Sequence, residues 1–524
     1  LRVVSPMRGQ CVPATGGRVI AAAEYDAGEP IVTARIDCAT PIAMRYAGGW
    51  AWQAELPPLA PGAHSMIVED HAGRASHALG FEVCAPGDAP AAGPDWPQVG
   101  GSVDHAGARD HELPPPVIQR WATPIGGHVL QAAPIIAGGS VYVTATDQAS
   151  GDTGGVAALD LATGALRWRA PTAVQLRGGP ALVSDAVVVA QVDGTVLGLD
   201  AATGAPRWRT ELGAGVTPGA AVIDASPAVD DDDVLIGNQR RMAAIGGARG
   251  EMAWSVDPVP QGEDSESLAA IAVGDGIAVG AFNRAFGGLG AWDRMTGAPR
   301  WRVESELTTA INASPVIGGG LVYVVNGIDE VFALELATGA LRWQIKLDPA
   351  GFDWGHATVG APALAKGILV VPTLYRDLVA LDATTGMELW RHAGVPSPVR
   401  STHYRGAAEA GYEASPVITG DLVWAADTAG TLTAIDLHTG AGLWHTALGA
   451  PVMAGLAVSG DWLIAATYDG VVHAFTAAAA EPALVPAVSC TEQADGGCCS
   501  TGGGPAGPFA LMLIVGVATR RRRA

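Results

Sequence analysis

Asp224, Asn312 and Glu413 occupy one position of a phrase that returns along the chain, three residues ahead of a proline or of the residue standing in its place. Gln131, Arg177, Ser267, Val359 and Met453 hold the same position in the other copies, so six of the eight are polar. If the phrase builds equivalent pieces of one ring, these side chains line the mouth of its central channel. An Asp, an Asn and a Glu so placed offer the oxygen ligands that a hard cation such as Ca²⁺ takes. The competing reading is plainer, because a channel mouth is wet and polar whether or not it binds anything.

Two longer loops carry side chains suited to recognition. "RHAGVPSPVRSTHYRGAAEAGYEA" at 391–414 supplies His403, Tyr404, Arg405 and Tyr412, and "DPAGFDWGHATVG" at 348–360 supplies Asp353, Trp354 and His356. Long loops on a rigid scaffold often carry function, though they also serve as covers. "DHAGARDHE" at 104–112 lacks the tight ligand pairs of a zinc site and reads as a solvated lead-in. The acidic run Asp230–Asp233 reads as a soluble hairpin turn. No G-x-S-x-G elbow supports a serine nucleophile.

The elements that would position these residues follow from repetition. "DLATGALRW" at 160–168 recurs as DAATGAPRW, DRMTGAPRW, ELATGALRW, DATTGMELW and DLHTGAGLW. The anchoring tryptophans are Trp168, Trp208, Trp301, Trp343, Trp390 and Trp444, with a degenerate copy ending at Trp254. Eight phrases such as "ASPVIGGGLVYVVNG" each read as two strands and a hairpin, followed by a third strand and a fourth ending on the Trp. The nine-residue phrase is the turn between third and fourth strands, where Gly takes a positive φ and Asp and Thr bond nearby amides. Only seven fourth strands follow the eight phrases. "VIQRW", ending at Trp121, lies upstream, so residues 117–123 are expected to complete the last sheet and close the ring. The fold expected is all-β: an eight-bladed β-propeller over 117–476, closed by an N-terminal strand.

Composition agrees with many short strands, with 70 Gly and 36 Pro among 524 residues. Lys and Arg number 31 against 52 Asp and Glu, a formal charge of −21, which argues against nucleic acid because phosphate binding needs concentrated cations. The chain opens on Leu1 without a leader, as expected of a processed or truncated export product. Cys11, Cys38 and Cys84 lie early, Cys490, Cys498 and Cys499 in the tail, and none between. One early disulfide is expected, with the pairing open and a third thiol unassigned.

The repeats closely resemble the PQQ-like β-propeller family, which includes quinoprotein dehydrogenases and the assembly lipoprotein of the outer-membrane β-barrel machinery. The resemblance covers about 94–476, including "DWPQVGGSVDHAG", which looks like the W-P-x-x-x-G segment before many such propellers. It implies fold more than activity. The family's enzymes carry a vicinal cysteine pair against the quinone, a Ca²⁺ held by Glu and Asn, and an Asp base. Here the one vicinal pair, Cys498-Cys499, falls outside the ring.

Residues 1–86 alternate apolar and polar, and "LAPGAHSMIVEDHAGRAS" resembles the late strands of bacterial Ig-like domains, implying a small β-sandwich. Residues 87–116 read as linker and propeller lead-in. The tail from 477 ends in a Cys-containing Gly-rich motif, an apolar run at 509–518 and Arg520, Arg521, Arg522 and Arg523. That run spans about 15 Å as a helix, half the ~30 Å core of a bilayer. The pattern resembles the myxobacterial C-terminal sorting signal, implying transient membrane insertion, a sorting protease, and processing or lipidation at Cys498 or Cys499. The function expected is an exported cell-surface binding or scaffolding protein without a cofactor. The alternative is an oxidoreductase using PQQ and Ca²⁺.

Overall fold

The computed structural model describes residues 1–480 and 485–486, apart from 8–9, 15, 24–30, 49, 86–87, 148–152, 214–224, 238–240, 258–268, 283–287, 304–310, 328–329, 348–359, 374–376 and 398–410. Regular structure among them is strand alone. The first 83 residues form two sheets. One orders Arg2–Ser5, Arg18–Ala22, Ala51–Glu55 and Arg45–Gly48, and the other Cys11–Val12, Leu79–Val83, Gly62–Asp70, Val32–Ile36 and Ile42–Ala43. Their alternating residues meet in a core that includes Val19, Val32, Trp52, Met66 and Phe81. Cys11 and Cys84 are the bonded pair, Cα atoms 5.5 Å apart, and Cys38 is held in a disulfide too.

Eight sheets follow, each built on a four-stranded antiparallel meander; in the seventh, Ala108–Arg109 adds a fifth strand, parallel to Val417–Thr419. The first is Ile135–Ala137, Ser140–Asp147, Thr153–Asp160 and Leu166–Pro171; the seventh is Val417–Thr419, Leu422–Ala426, Thr431–Asp436 and Gly442–Ala447. In the eighth, Ala457–Ser459, Trp462–Ala466 and Val471–Ala477 take their fourth strand from upstream: Val117–Pro124 pairs antiparallel with Val471–Ala477. First strands of most adjoining sheets touch, and the first sheet's touches the eighth's, so first strands lie innermost and fourth strands outermost.

The recurring phrase has a stereochemical explanation that goes beyond its own turn. In the first sheet the Thr163 amide donates to Asp160 Oδ1 at 2.9 Å and the Thr163 hydroxyl at 2.8 Å, which fixes the corner. The glycine after it, Gly164, sits at φ 68° directly on the indole of Trp121 in the preceding sheet; a Cβ there would lie 2.5 Å from the ring. The same seat is taken by Gly204 on Trp168, Gly250 on Trp208, Gly297 on Trp254, Gly339 on Trp301, Gly386 on Trp343 and Gly440 on Trp390. Each of these indoles also donates its N–H across the cleft to a backbone carbonyl in the same turn, Trp121 to Leu161 at 2.8 Å and Trp390 to Leu437 at 2.7 Å among them. Trp444 has no such turn to reach, because the chain leaves the eighth sheet at Ala477; its ring meets Trp424 edge-on, centroids 5.9 Å apart.

The lead-in is solvated at Asp110, His111 and Glu112, as expected, but its earlier residues are not. Residues 90–111 run across the inner ends of the sheets and bond to every one of the eight. Trp96 exchanges both backbone bonds with Ile136 of the first sheet, at 2.7 and 2.9 Å. Pro97 O then accepts from Leu182, and the Gln98 side chain bonds Val229 in both directions. Val103, Asp104 and Ala106 accept from Val273, Ile317 and Leu364, and Gly107 from Ile418. The eighth sheet is met by Pro90 O, which accepts from the Trp462 indole, and by His111, 2.8 Å from Asp461. An innermost strand is a sheet edge whose inward N–H needs an acceptor once buried, and this strap provides seven of them in chain order. His105 is accordingly fully buried, its Nδ1 3.2 Å from Pro315 O, and burial pushes the imidazole down to about 4.

Asp230 and Asp233 also differ from expectation. Rather than a freely hydrated turn, they hold the nearly buried guanidinium of Arg294 from the neighbouring fourth sheet.

Candidate functional site

The loops that enter each first strand converge on the channel. Gln131, Asn312, Glu413 and Met453, read from the sequence as mouth residues, line one cavity there, with Val99 of the strap against it. Glu413 is buried. Arg177 lies outside that lining, and Asp224, Ser267 and Val359 lie outside the described residues. Three serines of the repeated Ala-Ser-Pro triplet complete the wall: Ser226, Ser314 and Ser415. Their hydroxyls accept amides of the preceding sheet, from Gly179 at 2.8 Å, Ala270 at 3.0 Å and Ala361 at 2.8 Å. The triplet was the signal for these residues, and their hydrogen bonds tie sheets together.

The cavity measures about 30 Å³. Small-molecule sites run to about 300–1,000 Å³. The strap closes the channel at its inner end and the first strands pack around it, which leaves the loops and outer clefts as the surfaces of the ring.

Of the recognition residues, Tyr412 is described and is 2% exposed. It is therefore an anchor rather than a contact residue: its amide donates to Thr373 O at 2.9 Å, and burial beside Asp427 and Asp377 raises its phenol. Asp353, Trp354, His356, His403, Tyr404 and Arg405 lie outside the described residues, as do Cys498, Cys499 and Arg520–Arg523. Both ends of the 391–414 loop are pinned to one turn of the seventh sheet. The Ser397 hydroxyl donates to Thr428 O at 3.0 Å, and the Thr428 amide to Gly411 O at 3.0 Å.

A further joint lies where the N-terminal sheets meet the ring. Gly48 packs on Gly126, and Trp50 stands edge-on to Tyr468 and His128, at 5.0 and 6.4 Å. His128 contacts Asp147 at 2.9 Å, and this bonding holds the Asp147 carboxyl below its ordinary range against the opposing effect of burial. Val4, Ile20 and Ala51 share an apolar cluster with Ala122 and Val471. The loop that carries His128 also carries Gln131, so the N-terminal sheets stand beside the channel mouth.

A family model described as outer membrane protein assembly factor BamB, a PQQ-like repeat model, matches residues 118–249, 152–284 and 250–482. The chain belongs to this PQQ-like repeat family. Among curated relatives, an outer membrane protein assembly factor BamB of Xanthomonas campestris is 28% identical over 31% of this chain and 37% of its own length. A quinohemoprotein alcohol dehydrogenase of Pseudomonas putida is 30% identical over 28% of this chain and 20% of its own. The chain thus matches about a third of the first relatives' length. Two solved structures share the fold: BamB from Moraxella catarrhalis, TM-score 0.52 at 20% identity over 69% of this chain and 100% of that one, and quinohemoprotein alcohol dehydrogenase from Comamonas testosteroni, TM-score 0.60 at 15% identity over 74% and 82%.

PQQ-like repeats raise the question of PQQ itself. The described residues do not fit it: a 30 Å³ cavity does not admit a tricyclic quinone, and no three His, Cys, Asp or Glu side chains among them are grouped as metal ligands.

Proposed function

We propose that this protein is an exported, surface-displayed binding or scaffolding protein. In this reading 1–86 is an Ig-like sandwich, 87–116 linker and lead-in, and 117–476 an eight-bladed propeller whose loop face meets an envelope or surface partner. The tail from 477 is a sorting signal of the myxobacterial type, processed at Cys498 or Cys499. The narrow channel carries the proposal: with a strap across one end and a cavity of only about 30 Å³ among the described residues at the other, the ring offers surfaces rather than a reaction chamber. The assembly factors among its relatives, proteins named for assembly at the outer membrane, agree with a binding role.

The test is a titration of the protein with PQQ, with and without Ca²⁺, followed by melting temperature and by quinone absorbance after gel filtration. The expected result is no shift and no retained quinone. A Ca²⁺-dependent rise in melting temperature with retained absorbance would overturn the proposal in favour of the oxidoreductase, with Asp224, Asn312 and Glu413 as the residues to mutate.

A further inference from the structure

The cleft between the sixth and seventh sheets holds a cavity of about 240 Å³, against about 30 Å³ at the channel mouth. The residue after the repeat tryptophan differs from sheet to sheet, being Ser255 in the third and Gln344 in the fifth. In the first sheet the residue after the tryptophan is Arg169, whose guanidinium crosses to the preceding sheet and donates to Gly126 O at 3.4 Å, just past that sheet's fourth strand. In the sixth sheet the equivalent Arg391 crosses to Leu347 O at 2.8 Å. In the seventh sheet this position is His445, which is shorter and carries no guanidinium fork. The space that an arginine takes in those two clefts is open here, bounded by Val395 where their acceptor carbonyl would stand.

The walls suit a guanidinium. Trp444 offers aromatic surface, and Tyr412 and Asp427 lie deep in the wall with 2% and 1% exposure. The carboxylate of Asp427 accepts backbone amides of Val395 at 2.9 Å, Ala429 at 3.0 Å and Thr431 at 2.8 Å, so it is held rigidly. At the rim, Leu443 and Val395 are about half exposed, at 51% and 46%, apolar ledges for the stem of a long side chain. The chain's net charge of −21 favours a basic partner at long range.

We infer that this cleft is a docking site for an arginine side chain presented by a basic segment of a partner polypeptide, taking the place that Arg169 and Arg391 take in two sister clefts. The inference rests on the binding reading above but uses a different surface. The PQQ titration tests that reading, and a peptide titration tests this one, so their failures are distinguishable.

The experiment titrates the full chain with the capped peptide acetyl-Gly-Ala-Arg-Ala-Gly-amide and its citrulline counterpart, following tryptophan fluorescence and heat. The expected result is saturable binding of the arginine peptide, at least tenfold tighter than the citrulline peptide. His445→Arg should weaken it tenfold or more without lowering the melting temperature, because the new side chain fills the cleft from within. Equal binding of the two peptides, or binding untouched by His445→Arg, would overturn the inference. So would binding that appears only in Arg400→Ala or Arg405→Ala variants, which would make the chain's own loop the occupant.

Discussion

The outer rim and the inner floor of the ring hold the same eight sheets together by opposite means. At the rim, seven tryptophans and seven turn glycines repeat one local arrangement, so each contact joins two neighbouring sheets and no others. At the floor, a single unrepeated segment touches all eight sheets in succession. A rim contact is therefore redundant sevenfold, while the floor has no second copy. Nearest-neighbour contacts of this kind behave additively in repeat proteins, and a segment spanning every unit couples them.

The largest expected effect falls on the floor. Trp96 is fully buried, with the Arg109 guanidinium 4.5 Å above its ring, and Trp96→Ala should cost about 3–5 kcal/mol for the cavity alone. Because the strap spans all sheets, the denaturant melt should also broaden. Trp390→Ala at the rim should cost a similar amount with an unchanged transition slope, and equal broadening in both would break the contrast. Next comes Gly386→Ala, which places a Cβ 2.6 Å from Trp343 at φ 73°. Overpacking of this kind costs about 1–3 kcal/mol, read from thermal melts. Smaller still, Thr385→Val removes a hydroxyl bonded to Asp382 at 2.8 Å in an exposed turn, and should cost about 1 kcal/mol or less.

Dependence on pH sharpens the comparison further. His105 in the floor and His473 in the closing sheet are held neutral by burial, at about 4 and about 3, against 6.5 when unfolded. A depressed histidine means the unfolded chain binds the extra proton, so stability falls as pH drops from 6.5 toward 4. Asp469, raised to about 6 by burial, works the other way, adding stability as pH falls from 6 toward 3.8. Asp469→Asn should therefore steepen the acid loss between pH 6 and 4.5 in chemical melts, and a shallower slope would contradict the burial of these groups.

The legible parts of the chain were those that repeat or alternate. The upstream strand ending at Trp121 was readable because one fourth strand was missing from an otherwise regular count, and it pairs with Val471–Ala477. Gln131, Asn312, Glu413 and Met453 were brought together by aligning the repeats, since equivalent positions in a ring face one another. Their register says nothing of volume, so the smallness of the mouth was invisible. Tyr412 looked like a recognition side chain because loops are usually exposed, yet its own phrase anchors the loop.

By itself the sequence determined the repeating unit, its turn chemistry, the closing strand and the net acidity, because each is read from neighbours within about fifty residues, from the count of repeats or from composition. Only the tertiary structure decided that residues 90–111 fill the floor, that each turn glycine serves the tryptophan of another sheet, and that a cleft beside His445 stays open. These depend on which backbone atoms lack partners after the ring closes, a sum over all eight sheets that no single stretch of sequence contains.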